Sequence, residues 1–239
     1  MADPFPLFAT PAYGGFVTWQ YATSMVNLAD LLRWSGVNFR TEMFGGESLV
    51  DRARNACVSV FLENACCSHL FFVDSDIAFQ AQDAYDMLTS GLDFVLAPYR
   101  KKREAEKWTV TLLGHGKTRA YLHRPGTGTR TIRYVECAEG GTGFLCLSRQ
   151  AVERLVASVG TYAWERNGRP TRCPDLFRSV VDEDVRIGED QYLCRRWREL
   201  GGDVWCAVDA KLGHVGTSEV FEGDYAKAIG FSLLGDHGT

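Results

Sequence analysis

The sequence predicts an α/β protein: a mixed, mostly parallel sheet flanked by helices, folded as one compact domain. Two observations carry this. Over the first hundred residues, short apolar runs alternate with stretches of helical periodicity in the order strand, helix, strand, helix, strand, the signature of a sheet with helices packed on it. The run Leu70-Phe71-Phe72-Val73 is apolar without alternation and stops at Asp74-Ser75-Asp76, as a strand buried on both faces does when it reaches solvent. Length and composition permit such a core. The chain has 239 residues, 46% hydrophobic and 23% charged, as in ordinary globular proteins.

Taken in order, Pro6 to Pro11 reads as a first strand running into the turn Tyr13-Gly14-Gly15. Thr18 caps a helix to about Ser35, with Trp19, Ala22, Met25, Val26, Ala29 and Leu32 at helical spacing, and Gly36 stops it. Val37 to Met43 is a second strand. A second helix runs from about Glu47 to Asn64 with an inner stripe of Leu49, Val50, Ala53, Cys57, Val60 and Phe61, and Arg52 and Arg54 pointing elsewhere. After the third strand, a helical stretch reaches Ser90 and a strand spans Asp93 to Ala97. From Arg100 to Arg133 the chain holds ten Lys or Arg with short possible strands and a loop Arg124 to Arg130. That excursion reads equally as a solvated loop and as a basic wall over a crevice, with Lys101 and Lys102 just past a strand end. Ile132 to Cys137 is a strand, and Gly140-Gly141-Thr142-Gly143 lets backbone pass close to something before an apolar return. Ser148 to Val159 is a helix. Thr161 to Asp184 reads as irregular and polar, a lid rather than a spacer. Glu189 to Leu200 is a helix with acids first and Arg195, Arg196 and Arg198 late, matching its dipole. Val204 to Val208 is a strand, Leu212 to Gly216 a tight segment, and residues beyond Gly223 a loose tail.

Composition excludes several classes. A net charge of −4 offers no general attraction to nucleic acid or acidic lipid. No stretch reaches the roughly 18 apolar residues of a membrane span, and the N-terminus has no signal-peptide pattern. The eight Cys form no Cys-x-x-Cys pair and lie mostly in apolar runs, which reads as buried reduced thiols and a cytoplasmic setting.

The chemistry concentrates at Asp74 and Asp76. Two carboxylates this close repel unless a proton or cation neutralises them, and hard oxygen ligands suit Mg²⁺ or Mn²⁺ shared with a substrate's phosphates. The plain alternative is a helix cap or turn. By the same standard His214 alone reads as structural, and Glu189 and Asp190 as ordinary first-turn acids.

Their order changes that balance. Arg52-Ala53-Arg54-Asn55, Phe72-Val73-Asp74-Ser75-Asp76-Ile77, Gly141-Thr142-Gly143-Phe144, Glu189-Asp190 followed by Cys194 and Trp197, and His214-Val215-Gly216 together resemble the GT-A glycosyltransferases. The compact viral and phage members are the nearest in pattern, and the likeness spans about residues 6 to 216. The resemblance implies a domain over residues 1–223 with a nucleotide-binding half (1–99) and an acceptor-binding half (100–223), then a tail (224–239). It implies Mn²⁺ or Mg²⁺ as cofactor, a UDP- or GDP-sugar as donor, a glycan or glycoprotein as acceptor, and the cytoplasm, that of a host if the protein is viral. Asp76 would hold the metal directly and His214 would complete the site, while Asp74 would contact the ribose or the metal through water. Thr10, Pro11, Tyr13, Arg54, Ser75 and Lys101 would join the two aspartates around the donor. Gly141, Thr142, Gly143 and Trp108 would lie beside sugar or acceptor. Asp190 would be the base of an inverting transfer, with Glu189 orienting groups. The rival readings are a catalytically silent nucleotide-sugar or carbohydrate-binding module and, third, a sugar nucleotidyltransferase. The last usually carries a basic glycine-rich signature that Tyr13-Gly14-Gly15 lacks.

Overall fold

The computed structural model describes residues 4–103, 106–123, 130–166 and 168–230. Strand β1 (Pro6–Ala12) leads through a glycine turn to α1 (Trp19–Trp34), then β2 (Arg40–Gly45), α2 (Val50–Glu63) and β3 (His69–Val73). A short strand β4 (Ile77–Phe79) precedes α3 (Ala81–Thr89) where the sequence suggested continuous helix, and β5 (Phe94–Leu96) follows. Strands β6 (Val110–Leu112), β7 (Thr118–His123), β8 (Arg130–Gly140) and β9 (Phe144–Ser148) lead to α4 (Arg149–Ala157). Two hairpins, β10 (Thr161–Arg166) with β11 (Arg169–Pro174) and β12 (Val180–Asp182) with β13 (Val185–Ile187), fill the segment expected to be irregular. The chain closes with α5 (Glu189–Glu199), β14 (Trp205–Ala207), β15 (Leu212–Val215), β16 (Val220–Phe221) and α6 (Tyr225–Ala228).

Among the described residues, nine strands form one sheet in the order β2-β1-β3-β9-β5-β14-β8-β6, with β7 also on β8. The result is a mixed α/β fold with a central mixed sheet and helices on both faces. Parallel pairing is confined to β2-β1-β3 and β5-β14, because β9 enters antiparallel between β3 and β5 and β8 runs antiparallel to β14. "Mostly parallel" is therefore corrected to mixed. A second sheet, β16-β15-β4, carries the end of the chain back to the residues after Asp76.

The unbroken apolar runs have a direct cause. Leu70 and Phe72 enter the core beneath α2, α4 and α5, while Phe71 and Val73 enter the core beneath α1 and α3. With both faces covered, a polar residue in such a strand needs a partner inside, as Thr10 of β1 has in Tyr21.

Three sequence expectations fail on packing. Helix α1 buries Tyr21, Ser24, Leu28 and Leu32, while Trp19 and Val26 are exposed. The true face includes two polar residues whose hydroxyls are satisfied: Tyr21 pairs with Thr10, and Ser24 Oγ accepts the Phe79 N–H. Helix α2 is buried from Ala53 to Phe61, so Arg54 is buried rather than turned away, while Arg52 is exposed as expected and Leu49 and Val50, placed on the inner stripe by sequence, are exposed too. The tail does not begin loose, since Tyr225 and Ala226 are buried and the Tyr225 ring meets Trp108. The rest of that tail, residues 231–239, and the loop expected at 124–129 lie outside the described residues. Seven of the cysteines are buried and Cys66 is exposed, all as free thiols.

Candidate active site

The crevice opens where β3 ends. The Asp74 N–H donates to Gly143 O, and the Ile77 N–H returns to Asp74 O, making a tight turn of Asp74-Ser75-Asp76. Two outside anchors fix that turn: Ser75 O accepts both the N–H and the hydroxyl of Thr18, and Asp76 O accepts the Val215 N–H. Ser75 thus contributes through its carbonyl, and β15 is tied to the turn from the far end of the chain.

The inner wall is an ion-pair cluster. Arg54 Nη2 donates to both oxygens of Asp74 at 2.9 Å, and Arg54 Nη1 lies 3.6 Å from Glu189 Oε1. The Arg54 side chain is 3% exposed. Burial alone would favour loss of its proton, but Asp74, Asp190 and Glu189 outweigh that and raise its pKa. Burial raises the pKa of Glu189, with Asp190 beside it adding and Arg54 opposing. Arg54 also lies over the Phe177 ring at 5.9 Å. Its neighbour Asn55 holds that ring: Nδ2 donates to Phe177 O, and Oδ1 accepts the N–H groups of Leu176 and Phe177. The Arg-x-Arg-Asn pattern therefore has a physical meaning, one residue clamping two acids and the next fixing the floor beneath it.

The outer wall is more open. Asp76 is paired with the Lys102 ammonium, and its Oδ2 is 3.6 Å from His214 Nε2. Burial would raise the Asp76 pKa, but the bonds and charges of His214 and Lys102 prevail and hold it at about 2. His214 Nδ1 is 2.8 Å from the carbonyl oxygen of Arg100. A carbonyl only accepts, so Nδ1 carries the hydrogen and Nε2 is the atom turned toward Asp76, able to bond the carboxylate when protonated and to ligate a cation when not. Tyr99 meets the imidazole edge-on at 5.1 Å.

Among the described residues no group of three or more His, Cys, Asp and Glu forms a metal cage. Asp76 and His214 nevertheless fit a divalent ion that completes its shell with water and phosphate oxygens. Asp74 does not offer itself in the same way, because Arg54 engages both its oxygens.

The glycine segment explains itself by contact. A Cβ on Gly143 would stand 2.6 Å from Asp74 Oδ2, and one on Gly141 would stand 2.5 Å from the Tyr99 hydroxyl. Thr142 is fully buried and its hydroxyl donates to Asp190 Oδ1. Its side chain positions the acid and does not face a sugar. The glycines let β8 and β9 close around Asp74, Tyr99 and Asp190.

Beside Asp190 is a cleft of about 270 Å³ lined by Lys101, Trp108, Thr109, Gly141 and Glu189. Lys101 thus faces this cleft, while Lys102 reaches Asp76. Of the residues expected at the end of β1, Thr10 is buried against Tyr21 and Pro11 is buried, whereas Tyr13 is 76% exposed. Tyr99 and Asn55 are not site candidates by sequence, whereas Lys102 is marked with Lys101 as part of the basic wall without a stated partner. Asn55 lay inside a quoted motif and Lys102 beside the chosen lysine, while Tyr99 left only the signal of a strand end at Pro98.

No protein-family profile matches this chain, and no curated protein matches it. Solved structures do. The crystal structure of a protein from STIV aligns over 92% of this chain and 91% of its own, with a TM-score of 0.55 and 17% identity. The catalytic domain of Drosophila beta1,4galactosyltransferase 7 in complex with xylobiose aligns over 93% of this chain and 70% of its own, with a TM-score of 0.47 and 12% identity. A glycosyltransferase involved in glycosylation of the major capsid of PBCV-1 aligns over 63% of each chain, with a TM-score of 0.35 and 10% identity. The first shares the fold, and at that identity the likeness extends to architecture alone.

Proposed function

We propose that the protein is a metal-dependent glycosyltransferase that moves a hexose from a UDP- or GDP-sugar to a hydroxyl of a glycan or glycoprotein, inverting the anomeric centre. One observation carries this. Asp76 just past the end of β3 and His214 in β15, separated by most of the chain, come within 3.6 Å of each other, and Asp74 between them and Asp190 feels the charge of all three.

Asp76 and His214 would hold Mn²⁺ or Mg²⁺, whose charge would stabilise the departing diphosphate. Burial pushes the Asp74 pKa up and Arg54 opposes that shift while immobilising the side chain, whose remaining exposed edge is available to a ribose hydroxyl. Tyr13 offers an exposed ring for the base. Asp190 Oδ1 is oriented by Thr142, which leaves Oδ2 to accept a proton. The acceptor oxygen attacks the anomeric carbon, and the bond from that carbon to the diphosphate oxygen breaks with its electron pair leaving on the phosphate. The acceptor proton passes to Asp190 as the hydroxyl becomes acidic during attack. Residues 6–99 supply the donor side, and residues 100–223 supply the acceptor cleft.

The test is thermal unfolding with a panel of UDP- and GDP-sugars, each with and without Mn²⁺, since a ligand of the folded form alone raises the midpoint. A Mn²⁺-dependent rise is expected, followed by release of the diphosphate and an inverted product by NMR. If no nucleoside diphosphate binds in either condition, the proposal fails. Binding without any turnover would instead favour the silent module.

A further inference from the structure

A second groove, of about 600 Å³, lies between α1 and the β4–β15 pair, away from Asp190. Its wall is Trp19 and Gln20, its rim is Gln80, Lys211 and Glu222, and small residues Ala78 and Gly213 floor it. In antiparallel pairing Gly213 faces Ala78 while His214 faces Ile77. The groove is lined by Phe79 and Leu212 as well as Ala78 and Gly213, and neither Asp76 nor His214 is among its lining residues.

We infer that this groove is a binding site for a neutral oligosaccharide, separate from the donor crevice. The Trp19 indole is 73% exposed and stacks on no protein ring among the described residues. A flat apolar face with a polar edge matches the C–H faces of a pyranose. Gln20, Gln80 and Glu222 have side chains with no protein hydrogen-bond partner among the described residues, so their amides and carboxylate are open to hydroxyls. Charge argues against an anion. Lys211, the one Lys or Arg lining the groove, is already paired with Asp224 at 2.6 Å, and Glu222 adds a carboxylate, so the lining offers no free cation to a phosphate. Gly213 is needed for packing beside the groove, since a Cβ there would come within 2.8 Å of Val220 Cγ1 and 3.2 Å of Glu222 Oε1. The wall is also rigid, because Thr18, the residue before Trp19, bonds to Ser75 O and Ser24 bonds to Phe79 N. The inference stands on this groove and not on the transfer chemistry proposed above.

The test titrates the full chain, ¹⁵N-labelled, with maltopentaose, cellopentaose and mannopentaose, and with UDP as an anionic control. The readout is the Trp19 indole N–H resonance, assigned by its absence in Trp19→Phe. At least one pentasaccharide is expected to shift it, with affinity about tenfold weaker in Trp19→Ala, read there from the backbone N–H resonances of Ala78 and Gly213, as for a truncated aromatic anchor. Binding should be unchanged in Asp190→Asn, and Trp19→Ala should hydrolyse nucleotide sugar at the wild-type rate. Gln20→Ala, a second surface change, should weaken binding in the same direction. The inference is overturned if no pentasaccharide moves the resonance, if UDP moves it as strongly, or if saccharide affinity survives Trp19→Ala and is lost in Asp190→Asn. Each of these outcomes is independent of whether nucleotide sugars bind.

Discussion

Asp74 and Asp76 are separated by one residue, yet they belong to walls built in different ways. Asp74, 26% exposed and so little different from Asp76 in its own exposure, accepts two charged hydrogen bonds from a guanidinium that is 3% exposed. Asp76 faces outward, 31% exposed, toward a lysine that is itself 36% exposed and an imidazole anchored on a carbonyl. A buried pair is costly to break because the survivor is left charged and unpaired, whereas an exposed pair contributes little to stability. The same residue type therefore builds the support on one wall and remains available to a ligand on the other.

The sharpest way to break this contrast is Arg54→Ala. With Asp74 and Glu189 stranded, stability should fall by about 3–5 kcal/mol, measured by urea unfolding, and Arg54→Met with Asp74→Asn should recover part of it. If Asp76→Asn proves as destabilising as Arg54→Ala, the distinction between walls is wrong. Asp190→Asn should leave unfolding nearly unchanged while lowering transfer by about 10²–10⁴-fold, the usual range for a positioned base, followed by diphosphate release. Asp76→Asn should abolish Mn²⁺-dependent stabilisation by nucleotide sugar.

Asp76 also has a pH signature. Its pKa is depressed from 3.8 to about 2 in the folded protein. A depressed carboxylate adds stability that is present above the unfolded value and lost as pH falls toward the folded one. Stability curves of wild type and Asp76→Asn should therefore converge between about pH 4 and pH 2. Thr142→Val should lower kcat by about tenfold with the donor KM unchanged, since the hydroxyl acts on Asp190 alone; a raised KM would place Thr142 against the donor instead. The smallest effect belongs to Lys102→Ala. Unfolding should change by less than about 1 kcal/mol, and Mn²⁺ affinity by calorimetry should tighten a few-fold once the competing ammonium is gone.

How much of this was legible follows from the kind of information each feature uses. Strands β3, β5 and β9 are buried on both faces, so their hydropathy alone marks them. Helices α4 and α5 pair one clean apolar face with matching end charges, and their bounds were read nearly to the residue. The α1 face was misread because Tyr21 and Ser24 are buried through hydroxyl partners that only the folded chain supplies. Arg54 was turned the wrong way for a similar reason: a charged residue reads as exterior unless its counter-charges, 20 and 135 positions later at Asp74 and Glu189, are known to converge. The hairpin at 180–187 turns through Glu183 and Asp184, both at positive φ (46° and 63°), where glycine or asparagine is the recognisable signal. The Asn-Gly pair at 167–168 was such a signal for the preceding hairpin and went unread.

The intrusion of β9 between β3 and β5 has a consequence for how the molecule is made. Residues 144–148 are the middle rail for partners that left the ribosome some fifty to seventy-five positions earlier, so an emerging chain holds two unjoined edges until that rail arrives. Such distant pairings close slowly and leave sticky intermediates. A fragment ending near residue 99 should accordingly precipitate instead of serving as a free-standing nucleotide-binding unit, and stalled translation through the basic excursion should be the step most in need of a chaperone.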